Sequence, residues 1–524
     1  MVGNVDFELY EMTIFSTDDI RAIERKTIEM DGVSSRELIK RMARGAADEI
    51  ASRWRPTRPM TVFAGPGENG AQALVTAGLL AERGYNPTIY LFNIGGNRLS
   101  RDCRVCRDEL QAAMPDINII EVQSRFNFPE LTPRHIIIDG LFGSGLREPL
   151  NGGFVQLVRY INESKGTIVA LDLPSGLFGD INVNTINRDV IHATLTLAVQ
   201  FPRISFFISD NAELVGEWRC IDIGLNAEAI RKTPSNFHLV EGPEVRDLIR
   251  PRNPFATKAD FGSALIAAGS YGMMGAAILA ARGALRSGAG KVTVHAPQCG
   301  YEVLQSSVPE AMFDPDASKL IISELRPEDK YTAIGVGPGL GTNEHTVNAL
   351  ELFLKTRTKP VVLDADALNC IALRPAMLKD LPVLSVITPH PGEFDRLFGE
   401  HHSDSARLLK AIEVSHTLNI LILLKSHYTA LVRPDLKVYF NSTGTPGMAT
   451  GGSGDVLTGV ITSLIAQGYK PEVSALIGAY IHGVAGEIAT REQGELGVTA
   501  GDIAANIGKA IKQVTARSSE NLQN

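Results

Sequence analysis

A glycine-rich segment in the C-terminal half holds the residues best suited to chemistry. Residues 441–459 read NSTGTPGMATGGSGDVLTG, in which six glycines and small hydroxyl residues surround Asp455 at the start of an apolar stretch. Glycines let backbone amides approach an anion, and the N-terminus of a following helix adds partial positive charge. Asp455 could accept the proton of an attacking hydroxyl group, because phosphoryl transfer depends on positioning more than on strong basicity. The segment predicts a phosphoryl-transfer site, with a glycine turn capped by Asp455 as the alternative.

Short runs rich in β-branched residues predict the strands that must position this segment. In the C-terminal half they occupy residues 263–270, 291–297, 331–341, 360–368, 385–393 and 419–426, and in the N-terminal half residues 61–65, 88–94, 117–122, 135–143, 167–176 and 193–199. Apolar strands that alternate with helical patterns are typical of a parallel sheet covered on both faces. Residues 429–444 instead predict a hairpin that turns at Pro434 and Asp435. We predict an α/β protein of two domains, 1–240 and 241–524, the first a Rossmann-like doubly wound domain.

Composition favours a small-molecule enzyme. The formal charge of -8 and the pI near 5.8 give no general electrostatic reason to bind nucleic acid or an anionic membrane. Residues 1–12 are acidic and lack the order of a secretory signal, and no apolar run approaches the roughly 20 residues that span a bilayer. Five cysteines form no disulfide framework. We therefore expect a cytoplasmic protein with no nucleic-acid or membrane partner. The spacing of Cys103 and Cys106 places both on one face of a predicted helix, which we interpret as incidental, with zinc or redox chemistry as alternatives.

Further motifs precede the glycine-rich segment in a fixed order. They are KADFG (258–262), GSYGMMGAAILAARGALRSGAG (269–290), VPEAM (308–312), GVGPGLG (335–341), DADAL (364–368), TPHPGE (388–393) and LLK (423–425). Together with GGSGD (451–455), this order resembles the ADP/ATP-dependent NAD(P)H-hydrate dehydratases. The resemblance covers residues 251 to about 512 and implies a C-terminal ribokinase-like α/β domain.

The resemblance also implies roles for single residues. The hydrated cofactor would be contacted by Ala276, Gly339, His390 and Asp455. The adenine nucleotide, ADP or ATP with Mg²⁺, would be contacted by Lys425, Ser426, His427, Tyr428, Thr429 and Gly454. His390 could instead cap or pack, Asp364 and Asp366 are either site or turn residues, and Glu393 could position magnesium through water.

The implied reaction is chemically reasonable. Hydration of a reduced nicotinamide places a hydroxyl group on the carbon beside the ring nitrogen, and hydroxide is a poor leaving group. Phosphorylation converts that hydroxyl group into phosphate, which the nitrogen lone pair can expel. The products would be NADH or NADPH, free phosphate and a nucleotide with one phosphate fewer.

The N-terminal half carries a second set of motifs. They are STDDIRAIERKTIE (16–29), VFAGPGENG (62–70), IIDGLFGSGLREPLNG (137–152), VALDLPSG (169–176) and VGEWRCIDIGL (215–225). This set resembles the NAD(P)H-hydrate epimerase domain, so the whole chain resembles a bifunctional NAD(P)H-hydrate repair enzyme, which we expect to be a homo-oligomer. The resemblance implies substrate contacts from Glu68, Asn69, Gly70, Ala71, Gln72, Gly143, Ser144, Gly145, Leu146, Arg147, Glu148, Pro149 and Asp172. It also implies a potassium site formed by Asn69, Asp139 and Ser175.

Three departures from the epimerase pattern bear on activity. Where the family reads GNNGGDG, residues 67–73 read GENGAQA, so Glu68 adds negative charge near a phosphate-binding loop and Gln72 replaces an acid. Arg203 follows Pro202 where the family places a lysine, and arginine does not easily release a proton. We therefore predict weak or absent epimerase activity. The alternative for the whole chain is a ribokinase-like small-molecule kinase with a non-catalytic N-terminal binding module; a kinase would accumulate a phosphorylated alcohol.

Overall fold

The computed structural model describes residues 12–181, 187–326 and 329–516. The acidic N-terminal stretch therefore lies outside the described residues except for Met12. Two compact units divide the chain, one formed by Thr13–Ser235 and the other by the chain from Asn236 onward together with Met12. Each contains a mostly parallel sheet with helical connections, which confirms the predicted α/β class with two domains.

The first unit contains seven parallel strands. They are β2 (Met60–Ala64), β3 (Pro87–Phe92), β4 (Asn118–Val122), β5 (Ile136–Gly140), β6 (Thr167–Leu171), β7 (Leu195–Val199) and β8 (Glu217–Ile221). A short strand, β1 (Met12–Ile14), precedes them in the chain and is not part of their sheet. The helices are α1 (Thr17–Asp31), α2 (Ser35–Arg53), α3 (Glu68–Glu82), α4 (Arg101–Ala113), α5 (Gly152–Glu163), α6 (Ala212–Val215) and α7 (Ala227–Arg231). The strand order β4-β3-β2-β5-β6-β7-β8 reverses direction between β2 and β5. Ligands bind at such a reversal in doubly wound folds, so the loops after β2 and β5 mark the place for a site.

Local sequence explains where these elements begin and end. Helix α1 starts after Ser16, whose hydroxyl oxygen accepts a hydrogen bond from the Asp19 amide at 3.2 Å. It ends at Gly32, which has a φ of 67° in the left-handed region. The five residues of β2 and of β5 are all buried, which explains why these strands are apolar without alternation.

The second unit is built on a larger sheet. Its strands are β9 (Phe237–Val240), β10 (Ser263–Ala267), β11 (Lys291–Ala296), β12 (Met312–Pro315), β13 (Ala333–Val336), β14 (Val362–Leu363), β15 (Val386–Ile387), β16 (Leu421–Leu424), β17 (Ala430–Val432) and β18 (Val438–Asn441). Its helices are α8 (Gly242–Leu248), α9 (Met274–Arg286), α10 (Tyr301–Ser307), α11 (Glu344–Thr356), α12 (Asp366–Leu373), α13 (Pro391–Phe398), α14 (Asp404–Leu418), α15 (Ser453–Ala466), α16 (Pro471–Gln493) and α17 (Ala500–Thr515).

These ten strands run in the order β9-β18-β17-β16-β15-β14-β13-β10-β11-β12 within an eleven-stranded sheet. Neighbouring strands from β16 to β12 in this order are parallel. Strands β17 and β18 pair antiparallel with Val432 opposite Val438, and the Arg433 amide donates to the Lys437 carbonyl at 2.9 Å. The predicted hairpin around Pro434 and Asp435 is therefore confirmed.

Helices α9 and α15 pack with their backbones in close approach. A β-carbon added at Gly459 would collide with the carbonyl group of Ala280, and one at Gly283 would collide with the carbonyl group of Val456. Glycine is required at both places because no side chain fits between the helices. This contact fixes the first two turns of α15, where the glycine-rich segment ends, against the C-terminal half of α9.

Helix α16 is long and apolar enough to cross a membrane by length and composition alone. However, 89% of its most apolar window is buried inside the protein, as in the core helix of a folded domain. Cys103 and Cys106 lie buried on α4, where burial raises the pKa of their thiols to about 12 and 11. Such thiols carry little thiolate at neutral pH, which favours the incidental spacing over redox or zinc chemistry.

Candidate active sites

The carboxyl ends of four adjacent parallel strands bring the predicted C-terminal site residues together. Gly339 follows β13, Asp364 follows β14, His390 follows β15 and Lys425 follows β16. The Lys425 amide also donates to the Pro389 carbonyl at 3.0 Å, which joins two of these loops. The carboxyl edge of a parallel sheet is where such folds bind ligands, so the segments form one site.

Lys425 and Asp364 form a buried ion pair in this site. The Lys425 ammonium lies 2.7 Å from one oxygen of Asp364, whose side chain is only 2% exposed. The other Asp364 oxygen accepts a hydrogen bond from the Thr458 hydroxyl at 2.7 Å. A β-carbon at Gly454 would lie 3.0 Å from the Lys425 ammonium, so the lysine reaches the start of α15. The pair sets a positive charge beside free backbone amides of a helix N-terminus, an arrangement that attracts phosphate.

Asp455 lies in the first turn of α15, beside these groups. The cap residue of the helix is Gly452, and no side chain bonds to the free amides at this end. Burial raises the pKa of Asp455 to about 6, helped by the charges of Asp364, Asp366 and Glu393 and opposed by Lys425. The interpretation of Asp455 as the helix cap is therefore wrong. Its carboxylate is free to accept a proton from a bound molecule.

His390 caps helix α13. Its Nδ1 accepts hydrogen bonds from the Gly392 amide at 3.0 Å and the Glu393 amide at 3.3 Å, and Glu393 in turn accepts from the His390 amide at 2.9 Å. The imidazole is half exposed, with Nε2 3.5 Å from the other Glu393 oxygen. The capping alternative from the sequence is confirmed, and it leaves the outer face of the ring open to a ligand.

Ala276 and Gly339 meet at the start of α9. A β-carbon at Gly339 would lie 3.0 Å from that of Ala276, and the Gly339 carbonyl accepts from the Ser270 hydroxyl at 2.9 Å. Asp366 is held nearby, where it accepts from the Gly341 amide at 2.9 Å. The GVGPGLG and DADAL motifs are thus connected through Asp366, which acts as a structural link.

The predicted nucleotide residues 425–429 form the short connection between β16 and β17. Within it the Ser426 hydroxyl donates to the Tyr428 carbonyl at 2.9 Å, and the Thr429 hydroxyl donates to the Ser426 carbonyl at 3.0 Å. The rings of His427 and Tyr428 meet edge to face with centroids 4.5 Å apart. The loop therefore presents two aromatic rings and hydroxyl groups beside Lys425, a surface suited to a nucleoside.

The first unit holds a cavity of about 540 Å³ at the reversal of its strand order. Of the predicted substrate residues, those that line it are Glu68, Asn69, Gln72, Gly143, Ser144, Gly145, Leu146 and Asp172. Gly70 and Ala71 are buried and do not line the cavity, and Arg147, Glu148 and Pro149 are exposed outside it. The cavity wall therefore contains part of each predicted loop.

Two of the three predicted potassium residues are joined directly. The Ser175 hydroxyl donates to Asp139 at 2.6 Å and the Ser175 amide donates to its second oxygen at 2.8 Å. Burial raises the pKa of Asp139 to about 6, against these hydrogen bonds. Both polar atoms of the Asn69 side chain are buried without a hydrogen-bond partner. An orphaned amide and a buried carboxylate suit an oxygen-ligated cation.

Asp172 and Arg203 form a second buried ion pair. Arg203 Nη2 lies 2.6 Å from Asp172 Oδ1, and the two side chains are 1% and 7% exposed. Asp172 Oδ2 accepts from the Ser144 amide at 2.6 Å. Asp172 also has a φ of 63°, a strained conformation for a residue other than glycine. Arg203, which stands where the family has a lysine, is thus held in an ion pair with Asp172.

Sequence reasoning missed two residues of these sites. Thr458 supports Asp364, and Glu24 lines the cavity of the first unit. Glu24 follows Ile20 and Ile23 and precedes Thr27, which are all buried. A charged residue on the buried face of an amphipathic helix is the signal that could have revealed it.

Comparison with known proteins agrees with the two-unit organisation. A family model described as NAD(P)H-hydrate dehydratase matches residues 264–509, and one described as YjeF-related protein N-terminus matches residues 35–205. The bifunctional NAD(P)H-hydrate repair enzyme Nnr of Moorella thermoacetica is 32% identical over 461 residues, covering 85% of this chain and 86% of that protein. The Escherichia coli K12 enzyme of the same description is 29% identical over 517 residues, covering 98% and 96%. The solved ADP/ATP-dependent NAD(P)H-hydrate dehydratase from Bacillus subtilis, co-crystallized with ATP/Mg2+, is 31% identical and covers 52% of this chain and 97% of that chain, with a TM-score of 0.46.

The fold and the comparisons define a two-domain α/β enzyme. The chain belongs to the family of bifunctional NAD(P)H-hydrate repair enzymes. The family resemblance drawn from the ordered motifs is confirmed, and the small-molecule kinase alternative is not favoured.

Proposed function

We propose that the C-terminal domain dehydrates the S epimer of hydrated NADH or NADPH with ADP or ATP, and that the N-terminal domain interconverts the R and S epimers. The observation that carries the dehydratase proposal is the uncapped start of α15, where Asp455 stands beside the Lys425–Asp364 pair. This geometry combines a proton acceptor, a cation and free backbone amides at one point.

The chain's own residues account for the phosphoryl step. As the hydroxyl oxygen of the hydrated ring attacks the terminal phosphoryl group, Asp455 takes its proton. Lys425 and the amides at the start of α15 offset the negative charge that develops on the phosphoryl oxygens. The ring nitrogen lone pair then expels phosphate, and loss of a proton to water from the neighbouring ring CH2 restores the double bond of the reduced nicotinamide.

The nucleotide would lie between Lys425, Gly454 and the loop of His427 and Tyr428. Among the described residues no group of three or more His, Cys, Asp or Glu side chains could hold a metal ion. Mg²⁺ keeps several waters and binds through substrate phosphates with one or two carboxylates, and Glu393 and Asp455 offer carboxylates at this site. We infer that magnesium arrives with the nucleotide and that Glu393 positions it through water.

In the N-terminal domain, Asn69, Asp139 and Ser175 would hold a potassium ion. The unpartnered Asn69 amide and the buried Asp139 carboxylate support this assignment. The ion would neutralise Asp139 and attract a phosphate of the cofactor to the loops that follow β2 and β5.

The test separates the two epimers of hydrated NADH and supplies each with ADP or ATP and Mg²⁺. We expect the S epimer to yield NADH absorbance and free phosphate in equal amounts, and to yield neither without nucleotide. Restoration without nucleotide, or accumulation of a phosphorylated product without NADH, would contradict the dehydratase proposal.

A further inference from the structure

One titratable residue in the cavity of the first unit has no role in the chemistry described so far. Glu24 extends from the buried face of α1 into the cavity of about 540 Å³, whose wall also contains Asp172 and Arg203. Its neighbours Ile23 and Thr27 are fully buried, so the helix is fixed in rotation and Glu24 must face the cavity.

Of the two other acids in the cavity wall, Glu68 and Asp172, the second is already occupied. Asp172 uses one oxygen for Arg203 and the other for the Ser144 amide, both at 2.6 Å. A proton delivered to Asp172 would have to displace one of these charge-assisted hydrogen bonds, which are about twice as strong as neutral ones. An arginine guanidinium does not easily release a proton. Asp172 and Arg203 are therefore suited to holding a ligand in place and poorly suited to moving a proton.

Glu24 has the opposite properties. Among the described residues its carboxyl group makes no hydrogen bond or ion pair. Burial raises the pKa of Glu24 to about 7, helped by the charges of Asp172 and Glu68 and opposed by Arg203 and Arg21. Both protonation states of Glu24 are therefore populated near neutral pH, as a general acid–base group requires.

We propose that Glu24 is the acid–base residue of the epimerase site. The inference rests on the epimerase half of the proposed function. Glu24 takes the proton of the hydroxyl group on the hydrated ring carbon, the bond from that carbon to the ring nitrogen breaks, and Glu24 returns the proton to the nitrogen. The resulting aldehyde rotates, the nitrogen attacks its opposite face, and the same proton travels back through Glu24 to oxygen. No oxidant or reductant is needed.

The experiment compares the full chain with Glu24→Gln, which keeps the size of the side chain and removes its proton exchange. With ATP and Mg²⁺ present, the S epimer reports the dehydratase alone, while the R epimer must first be converted. We expect Glu24→Gln to leave the S-epimer rate unchanged and to lower kcat for the R epimer by at least about 100-fold, or to the spontaneous rate, with little change in KM. Glu29→Gln, on the exposed side of the same helix, is the matched control and should change neither rate.

Two further readouts separate chemistry from structure. Glu24→Asp should recover part of the R-epimer rate. Because the folded protein binds the Glu24 proton more tightly than the unfolded chain, the wild type should lose stability relative to Glu24→Gln as the pH rises from about 4.5 to about 7. R-epimer conversion by Glu24→Gln at the wild-type rate would overturn the inference alone. Wild-type conversion at the spontaneous rate would overturn the epimerase half of the proposed function and the inference with it.

Discussion

Asp455 lies at a helix start where no side chain bonds to the free backbone amides. An aspartate in the first turn of a helix ordinarily bonds to a free amide there, as Asp502 does in the capping box of α17 with Thr499. At α15 the cap position is glycine, and the raised pKa of Asp455 reflects burial among other carboxylates. The Asp455 carboxylate does not cap the helix and so is available to accept a proton, which favours proton transfer over stability.

The first prediction concerns Asp455→Asn. The substitution keeps the size of the side chain and removes the proton acceptor, so kcat for the S epimer should fall by at least about 100-fold while nucleotide affinity changes little. Steady-state kinetics and a nucleotide-binding titration measure the two quantities. The control is Asp502→Asn, which changes the matching position of α17 and should leave kcat unaltered. A near-normal kcat in Asp455→Asn would remove Asp455 from the chemistry.

The second prediction concerns Glu68 at the first position of α3. Its exposed carboxylate occupies a helix N-terminus that would otherwise attract a cofactor phosphate. Removing a charge at such a site changes binding by about 0.3–1 kcal/mol, so Glu68→Asn should lower KM for the R epimer about two- to fivefold. Glu82→Gln at the far end of the same helix is the control. An unchanged or higher KM in Glu68→Asn would show that the glutamate does not oppose binding.

At the scale of elements, helix α15 supports the site through its second turn. Thr458 is fully buried and donates to Asp364, which in turn holds Lys425. Four residues on, Thr462 is equally buried but donates only within the helix, to the Thr458 carbonyl at 2.7 Å. The two threonines therefore differ in whether they reach the site.

The third prediction uses this difference. Thr458→Val leaves an Asp364 oxygen without its buried partner, so we expect a loss of about 1–3 kcal/mol in the free energy of unfolding and a higher KM for nucleotide. Thr462→Val should leave KM for nucleotide unchanged. Urea unfolding and steady-state kinetics provide the measurements. Equal effects of the two substitutions on KM would mean that Asp364 does not depend on Thr458.

The sequence predicted elements better than it predicted contacts. Strand runs such as residues 360–368 and the hairpin at Pro434 could be identified because apolar patterning and turn residues are local signals. The ion pair between Arg203 and Asp172 could not be predicted, because the two residues are 31 positions apart and are brought together by the sheet. The capping role of His390 was one of two open possibilities, and only the placement of Glu393 decided it.

At the scale of the whole molecule, the two reactions have to work in series on one substrate. With the dehydratase acting on the S epimer, as we propose, the epimerase sets how fast the R epimer is recovered. The departures at Glu68, Gln72 and Arg203 all lie in the first unit, whereas the dehydratase motifs are complete. The chain thus carries complete motifs for the dehydratase step and altered motifs for the epimerase step.

The fourth prediction is that the departures at Glu68 and Gln72 slow epimerisation by this chain without abolishing it. The full chain carrying Asp455→Asn, which isolates the first unit's activity, is mixed with the pure R epimer, nucleotide and a separate verified dehydratase. We expect conversion above the spontaneous rate, and faster conversion when Glu68→Asn and Gln72→Asp are added, because a positioned catalytic group typically contributes about 100- to 10,000-fold. Equal rates with and without those two changes would show that the altered loop does not limit catalysis.

The close approach of α9 and α15 has a consequence for how the enzyme loses activity on heating. Gly283 and Gly459 let the two backbones touch, and these helices carry Ala276 and Asp455 respectively. Amides in such a contact exchange with solvent only when the domain opens as a whole. We therefore expect the two helices to separate only when the domain unfolds as a whole, and heat inactivation of the dehydratase to follow the rate of global unfolding.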